Sequence, residues 1–198
     1  MIYVIDHEDS FTYNLVHLLE GFAPTYVSNY YDLDRKKLEK SKIIVFSPGP
    51  GDPSHYPETQ KIYHQYKGIK KVVCICLGFQ QILFAQKAKI IPQKKIYHGY
   101  QSKVKVLKGS SFFKPNTIFL AGRYHSLKLK EPFKSTSLKI TMRCVETNVA
   151  MAIEDTINNV YGFQFHPDSF LTVDGKLLIQ KIIPVSYTHL TLPTTEAV

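Results

Sequence analysis

The sequence predicts an α/β protein: an open, mostly parallel central sheet with helices on both faces, plus a small antiparallel section. Three observations carry this. Residues 2–5, 43–46 and 72–75 are short apolar runs rich in Ile and Val, the pattern of strands buried on both faces. Helical segments lie between them at the spacing of βαβ units. After residue 88 the rhythm changes to short strand-like segments joined by turns.

The elements follow in order. Residues 2–5 form the first strand, and residues 6–9 are polar and turn-like. Ser10 is the expected N-cap of a helix over 11–22, in which Leu15, Leu18 and Leu19 share a face and Gly21 marks the end. A second strand is expected over 25–28, and a charged, exposed helix over 32–40. The strand over 43–46 is stopped by Ser47-Pro48-Gly49-Pro50-Gly51. A helix over 57–67, a strand over 72–75 and a helix over 79–86 complete the first half. Strands are expected over 103–107, 117–120, 138–142, 150–153 and 160–163, then a last helix over 175–183. Residues 1–183 read as one domain. Residues 184–198 hold no Lys or Arg, one acid (Glu196) and neither period, and from Val185 to Thr194 they resemble translated adapter sequence. They are set aside as a non-family tail, artefactual or disordered.

Composition narrows the function classes. A chain of 198 residues, 44% hydrophobic and 21% charged, is not collagen-like, disordered or coiled-coil. Its 25 Lys and Arg against 16 Asp and Glu give +9, an excess that could meet nucleic acid or another anion. The basic pairs Lys36-Lys37, Lys70-Lys71 and Lys94-Lys95 are scattered, however, and no recognition module accompanies them, so nucleic acid is not an expected partner. No apolar run is long enough to cross a membrane and the chain opens directly on a strand, so a soluble cytoplasmic protein is expected. Cys74, Cys76 and Cys144 are too few and too oddly placed for a disulfide framework. Cys74-Ile75-Cys76 has no second close pair, so no metal site is expected.

Cys76 is the nucleophile candidate. It follows a buried strand and precedes Leu77-Gly78 and a helix, the kind of sharp turn that lifts a side chain out of a sheet. The helix N-terminus favours the thiolate, and the Leu77 amide faces an anion developing beside the sulfur. A free Cys in an apolar strand is more often inert core, and that reading suits Cys74 and Cys144. Gln164-Phe165-His166-Pro167-Asp168 follows another strand and supplies a candidate base, His166, and a carboxylate to orient it, Asp168. In isolation it would be an ordinary surface turn. The Pro-Gly cluster at 47–51 is either a rigid turn or a backbone-lined pocket wall that completes an oxyanion hole.

Together these pieces resemble the class I, triad-type glutamine amidotransferases, and more narrowly the small subunits of anthranilate synthase and aminodeoxychorismate synthase. The resemblance covers residues 1 to about 183. It rests on Asp9-Ser10-Phe11-Thr12-Tyr13-Asn14, Ser47-Pro48-Gly49-Pro50-Gly51, Cys76-Leu77-Gly78-Phe79-Gln80, His98-Gly99, Arg123-Tyr124-His125-Ser126-Leu127 and the run from Gly162 to Ser169, in chain order. It implies a flavodoxin-like sheet, Cys76 as nucleophile, His166 as base and Asp168 as its carboxylate. It further implies a glutamine site and oxyanion hole lined by Gly49, Pro50, Gly51, Leu77, Gln80, Ser126 and Leu127. The implied reaction hydrolyses the side-chain amide of L-glutamine and passes ammonia to a chorismate-binding large subunit. This subunit would need no cofactor, while the partner synthase would use magnesium. Two departures matter. Asp168 stands where the family has Glu, and Phe79 where it has His; the first shortens the reach to His166, and the second reads as repacking. Asp6-His7-Glu8-Asp9 also differs from the family's Asp-Asn-Tyr-Asp. His125 and His98 are expected to be structural, and Phe11 and Tyr13 to be core or partner contacts. Two other readings are kept: a weakened or regulatory binding subunit, and a free-standing cysteine hydrolase on γ-glutamyl substrates.

Overall fold

A computed structural model describes residues 1–184. The proposed tail thus lies, Pro184 apart, outside the described residues. Eleven strands and five α-helices are present among the described residues. In chain order the first half is β1 (Ile2–Asp6), α1 (Thr12–Glu20), β2 (Thr25–Asn29), α2 (Arg35–Lys40), β3 (Ile43–Phe46), α3 (Pro57–Tyr66), β4 (Lys71–Ile75) and α4 (Leu77–Ala85). The second half is β5 (Ile90–Pro92), β6 (Tyr100–Val106), β7 (Ile118–Arg123), β8 (Leu127–Leu129), β9 (Lys139–Cys144), β10 (Ala150–Asp155), β11 (Val160–Phe163) and α5 (Gly175–Ile182).

Nine strands form one sheet in the order β2-β1-β3-β4-β11-β10-β9-β6-β7. From β2 to β11 every pairing is parallel, and from β11 onward every pairing is antiparallel. The antiparallel section therefore continues the parallel sheet rather than packing beside it. Strand β11 is the join: Gly162 pairs with Cys74 on one side and Ile153 on the other. A separate ribbon, β5 with β8, lies off the sheet.

The apolar runs are buried on both faces because helices cover both. Ile2, Val4, Val45, Val73 and Ile75 face α1 and α5 through Leu15, Leu19, Leu178 and Ile182. Tyr3, Ile5, Ile44, Phe46, Val72 and Cys74 face α2, α3 and α4 through Leu38, Ile62, Tyr63, Phe79 and Ile82. Ser10 is not a helix cap. The Asp9 side chain accepts from the Phe11 amide at 2.8 Å, and α1 starts only at Thr12, whose hydroxyl donates to Asp6 at 2.8 Å. An Asx turn has outcompeted the expected Ser cap. The ribbon strands β5 and β8 have three residues each, too short for periodicity to reveal them.

One close approach fixes the layer spacing at the critical turn. A Cβ on Gly78 would run into the Phe46 carbonyl and lie 2.8 Å from the Phe46 Cβ. Only glycine lets α4 begin this close to β3. Gly78→Ala is expected to destabilise the fold by roughly 1–3 kcal/mol through overpacking against backbone, read from urea unfolding. A smaller loss would mean that α4 can slide outward freely.

Candidate active site

The parallel strands end on one edge, and their C-terminal loops converge there, where open α/β sheets place their sites. Strand β1 delivers His7, β3 delivers residues 47–51, β4 delivers Cys76 and β11 delivers residues 164–168. These loops and the β7–β8 connection enclose a pocket of about 330 Å³. Of the sequence-predicted site residues, Gly49, Pro50, Gly51, Cys76, Leu77, Gln80, Ser126, Leu127 and His166 all line it. Asp168 does not; it lies behind His166.

Cys76 occupies a strained corner. Its backbone has φ 52° and ψ −99°, a region that non-glycine residues rarely enter. The Cys76 amide donates to the Phe163 carbonyl at 2.8 Å, and the Gln80 amide returns to the Cys76 carbonyl at 3.1 Å. The backbone is thus held from both sides while the thiol points to the pocket. Helix α4 starts at Leu77 without a side-chain cap, so its first amides have no helical partners and face the sulfur's neighbourhood. Cys74, two residues earlier, is fully buried, and burial pushes its thiol well above the ordinary range, so it behaves as inert core.

The opposite wall is backbone. A Cβ on Gly49 would lie 2.5 Å from the His7 Cβ and 2.6 Å from Leu77 Cδ2, so glycine is needed where three loops meet. Gly51 has φ 77°, which glycine adopts without cost. The His7 amide donates to Ser47 Oγ at 2.9 Å, and its ring nitrogens sit 3.1 Å from Ser47 Oγ and 3.2 Å from Thr59 Oγ1. Tyr56 donates to the Pro50 carbonyl at 2.8 Å. A buried imidazole therefore pins the Pro-Gly loop to β1.

The third wall is set by a buried guanidinium. Arg123 is fully buried and has no carboxylate partner among the described residues. It donates to His125 Nε2 at 3.1 Å and Gln93 Oε1 at 3.0 Å, and lies 3.7 Å from the Tyr97 ring centre. With Nε2 accepting, the His125 proton sits on Nδ1 and bonds the Leu127 carbonyl at 2.8 Å. The Gln93 amide holds the Ser126 carbonyl at 2.8 Å. His125 thus shapes the Ser126-Leu127 loop, as the sequence led us to expect. His98, expected to be structural, is exposed and lines the pocket.

His166 donates its amide to the Gly122 carbonyl at 3.0 Å, and its carbonyl accepts from Thr172 at 2.6 Å. Burial by itself would lower its imidazole, but Cys76 and Asp168 on either side outweigh burial and hold it above its ordinary value. Its Nδ1 lies 3.6 Å from Asp168 Oδ1, beyond hydrogen-bond length. The Asp168 side chain is fully buried, and neither its oxygens nor His166 Nδ1 finds a hydrogen-bond partner. The shortened side chain leaves the expected carboxylate–imidazole bond unmade. Phe79, the other departure, is buried in the helical layer with Phe46 and Ile82, and its ring borders Gly162.

Sequence reasoning missed Gln164. It is fully buried, accepts from Gln80 at 3.1 Å, and places its own amide 3.5 Å from the Cys76 carbonyl and 3.8 Å from the sulfur. Its signal was a polar residue directly after an apolar strand. Gln93 carried no such signal. Among the described residues no group of three His, Cys, Asp or Glu side chains could hold a metal ion. No helix among them is long and apolar enough to cross a membrane.

Burial drives the His7 and His125 imidazoles down to about 3; at His125 the Arg123 charge adds to this. The unfolded chain binds those protons at higher pH than the native state. Stability is therefore retained above pH ~6.5 and lost as pH falls toward 3, by roughly 1 kcal/mol per pH unit per imidazole. Urea midpoints at pH 7 and pH 5 measure this. His7→Asn should flatten the dependence, and an unchanged slope would exclude His7 as a contributor.

Residues 3–184 match the family model described as glutamine amidotransferase class-I. The chain is 36% identical to an anthranilate synthase component 2 of Lactococcus lactis, covering 92% of this chain and 93% of that one. It is 33% identical to the same component in Cyanidium caldarium, covering 94% and 100%. It is 32% identical to a bifunctional protein TrpGD of Thermotoga maritima, of which it spans 32%. Among solved structures it resembles a putative GMP synthase component of Thermoplasma acidophilum, with a TM-score of 0.79, 20% identity, and 92% and 91% of the two chains covered. It also resembles a glutamine amidotransferase of Thermotoga maritima, with a TM-score of 0.65, 15% identity, and 84% and 75% covered. With its motifs gathered at one sheet edge and the family model spanning nearly every described residue, the chain belongs to the class I glutamine amidotransferases.

Proposed function

We propose that this chain is the glutaminase subunit of a chorismate-using synthase and supplies ammonia to its large subunit. The carrying observation is a cysteine held at φ 52° beside a buried imidazole, in a pocket that the Pro-Gly loop of residues 49–51 closes on the facing side. The Cys76 thiol gives its proton to His166, and the sulfur attacks the side-chain amide carbon of L-glutamine. The negative oxygen is met by the Leu77 amide and the backbone of residues 49–51. The carbon–nitrogen bond breaks as His166 returns the proton to nitrogen, leaving ammonia and a glutamyl thioester. Water, deprotonated by His166, then releases glutamate. Ser126 and Leu127 border the glutamine backbone, while Gln80 braces Gln164.

Relatives named anthranilate synthase component 2 support a component I synthase as partner, which would bind chorismate, add the ammonia to it and use magnesium. A bifunctional relative supports fusion as another way of holding subunits together. The aminodeoxychorismate route is the alternative, and a pull-down that names the large subunit separates the two. A weakened or regulatory subunit is a second reading, favoured by the 3.6 Å gap at Asp168.

Glutamate release in the presence of component I tests both. Cys76→Ala should lower it by about 10³-fold or more, and an unchanged rate would overturn the assignment. Asp168→Glu should raise kcat, by about tenfold, because orientation of the base is worth large factors. No gain, with a wild-type rate at background, would favour the regulatory reading.

A further inference from the structure

We propose that Phe11 and Tyr124 are positioning residues that clamp the His166 imidazole at the angle its short carboxylate fails to set. An imidazole on two rotatable bonds needs something to fix its plane. In a triad that is a hydrogen bond from Nδ1 to a carboxylate. Here Nδ1 is 3.6 Å from Asp168 and bonds nothing. The ring is nevertheless confined. The Tyr124 ring centre lies 4.9 Å away with planes at 66°, and the Phe11 ring centre 5.3 Å away, also at 66°. The two aromatic rings touch each other at 4.8 Å. Edge-to-face contacts of this kind favour one relative orientation.

The clamp is itself anchored. The Tyr124 hydroxyl lies 2.9 Å from Ser169 Oγ, which accepts the Leu171 amide at 3.1 Å. The Ser169 amide bonds the His166 carbonyl at 3.3 Å. Tyr124 is therefore tied to the same turn that carries the imidazole. Phe11 packs beside Tyr124 against the same imidazole and is fixed by the Asp9 turn ahead of α1. The titratable groups around the imidazole are Cys76, Asp168 and Tyr124, with His125 further off. None supplies the missing orienting bond.

The proposal rests on Cys76 and His166 acting as a pair, and its test separates that from the glutaminase reading. One readout is glutamate release with component I. The other uses this chain alone: alkylation of Cys76 by iodoacetamide against pH, with the modified cysteine mapped by mass spectrometry. Tyr124→Leu should lower kcat by about tenfold to a hundredfold, with KM within about threefold of wild type. It should slow Cys76 alkylation at about pH 6 by about tenfold, because less thiolate–imidazolium pair forms. Tyr124→Phe keeps the ring and should recover most of both. In Asp168→Glu, where the longer side chain reaches Nδ1, Tyr124→Leu should cost less than about threefold, a coupling that simple loss of packing would not produce. Equal losses in both backgrounds, a change confined to KM, or unchanged alkylation would overturn the clamp. If circular dichroism shows Tyr124→Leu unfolded, Phe11→Leu carries the same arms. Failure of glutamate release in wild type with the expected alkylation profile would reject the glutaminase reading and leave the clamp standing.

Discussion

The turn from β4 into α4 is the constraint on which the site depends. Gly78 lets α4 sit directly against the Phe46 backbone, where a Cβ would collide with the carbonyl. The Cys76 amide must also reach the Phe163 carbonyl on β11. With both ends fixed, Cys76 has little choice but its left-handed conformation, a cost on the order of 1–3 kcal/mol that the surrounding core has to carry. That corner aims the thiol out of the sheet and leaves the first amides of α4 open. The exposure of the thiol and the open amides beside it thus follow from two backbone contacts.

The other pocket walls are loops, and loops need fasteners. Each is held by a buried neutral imidazole. His7 ties the Pro-Gly loop to β1 through Ser47, and His125 ties the Ser126-Leu127 loop to itself. Burial keeps both uncharged, and at His125 the neighbouring Arg123 charge adds to that. The same burial that shapes the pocket disfavours protonation of both rings. His166 differs because two acidic groups face it; it alone of the three is held high.

Asp168 shows how much one methylene can decide. Its side chain is fully buried two residues beyond His166, yet its oxygens make no hydrogen bond. A buried carboxylate without a donor is costly. It lies behind an imidazole that Phe11 and Tyr124 pack against, so uncharged side chains make the contacts that hold that ring.

The sequence by itself determined the layered α/β architecture, because continuous apolar runs leave only doubly covered strands as a solution. It also determined which loops matter, since Cys76, the Pro-Gly cluster and the His166 turn each end a strand, and parallel strands end on one edge. Short features were not legible. The ribbon strands β5 and β8 are too brief for a period, and the Asx turn at Asp9 outcompeted a plausible Ser10 cap. Gln164, Gln93 and Arg123 act through contacts between residues up to 88 positions apart, such as that from Gln164 to Cys76, and no local pattern encodes such contacts. Only the tertiary structure decided the reach of Asp168. A side-chain length can be read from one residue, whereas a distance depends on where two backbones are held.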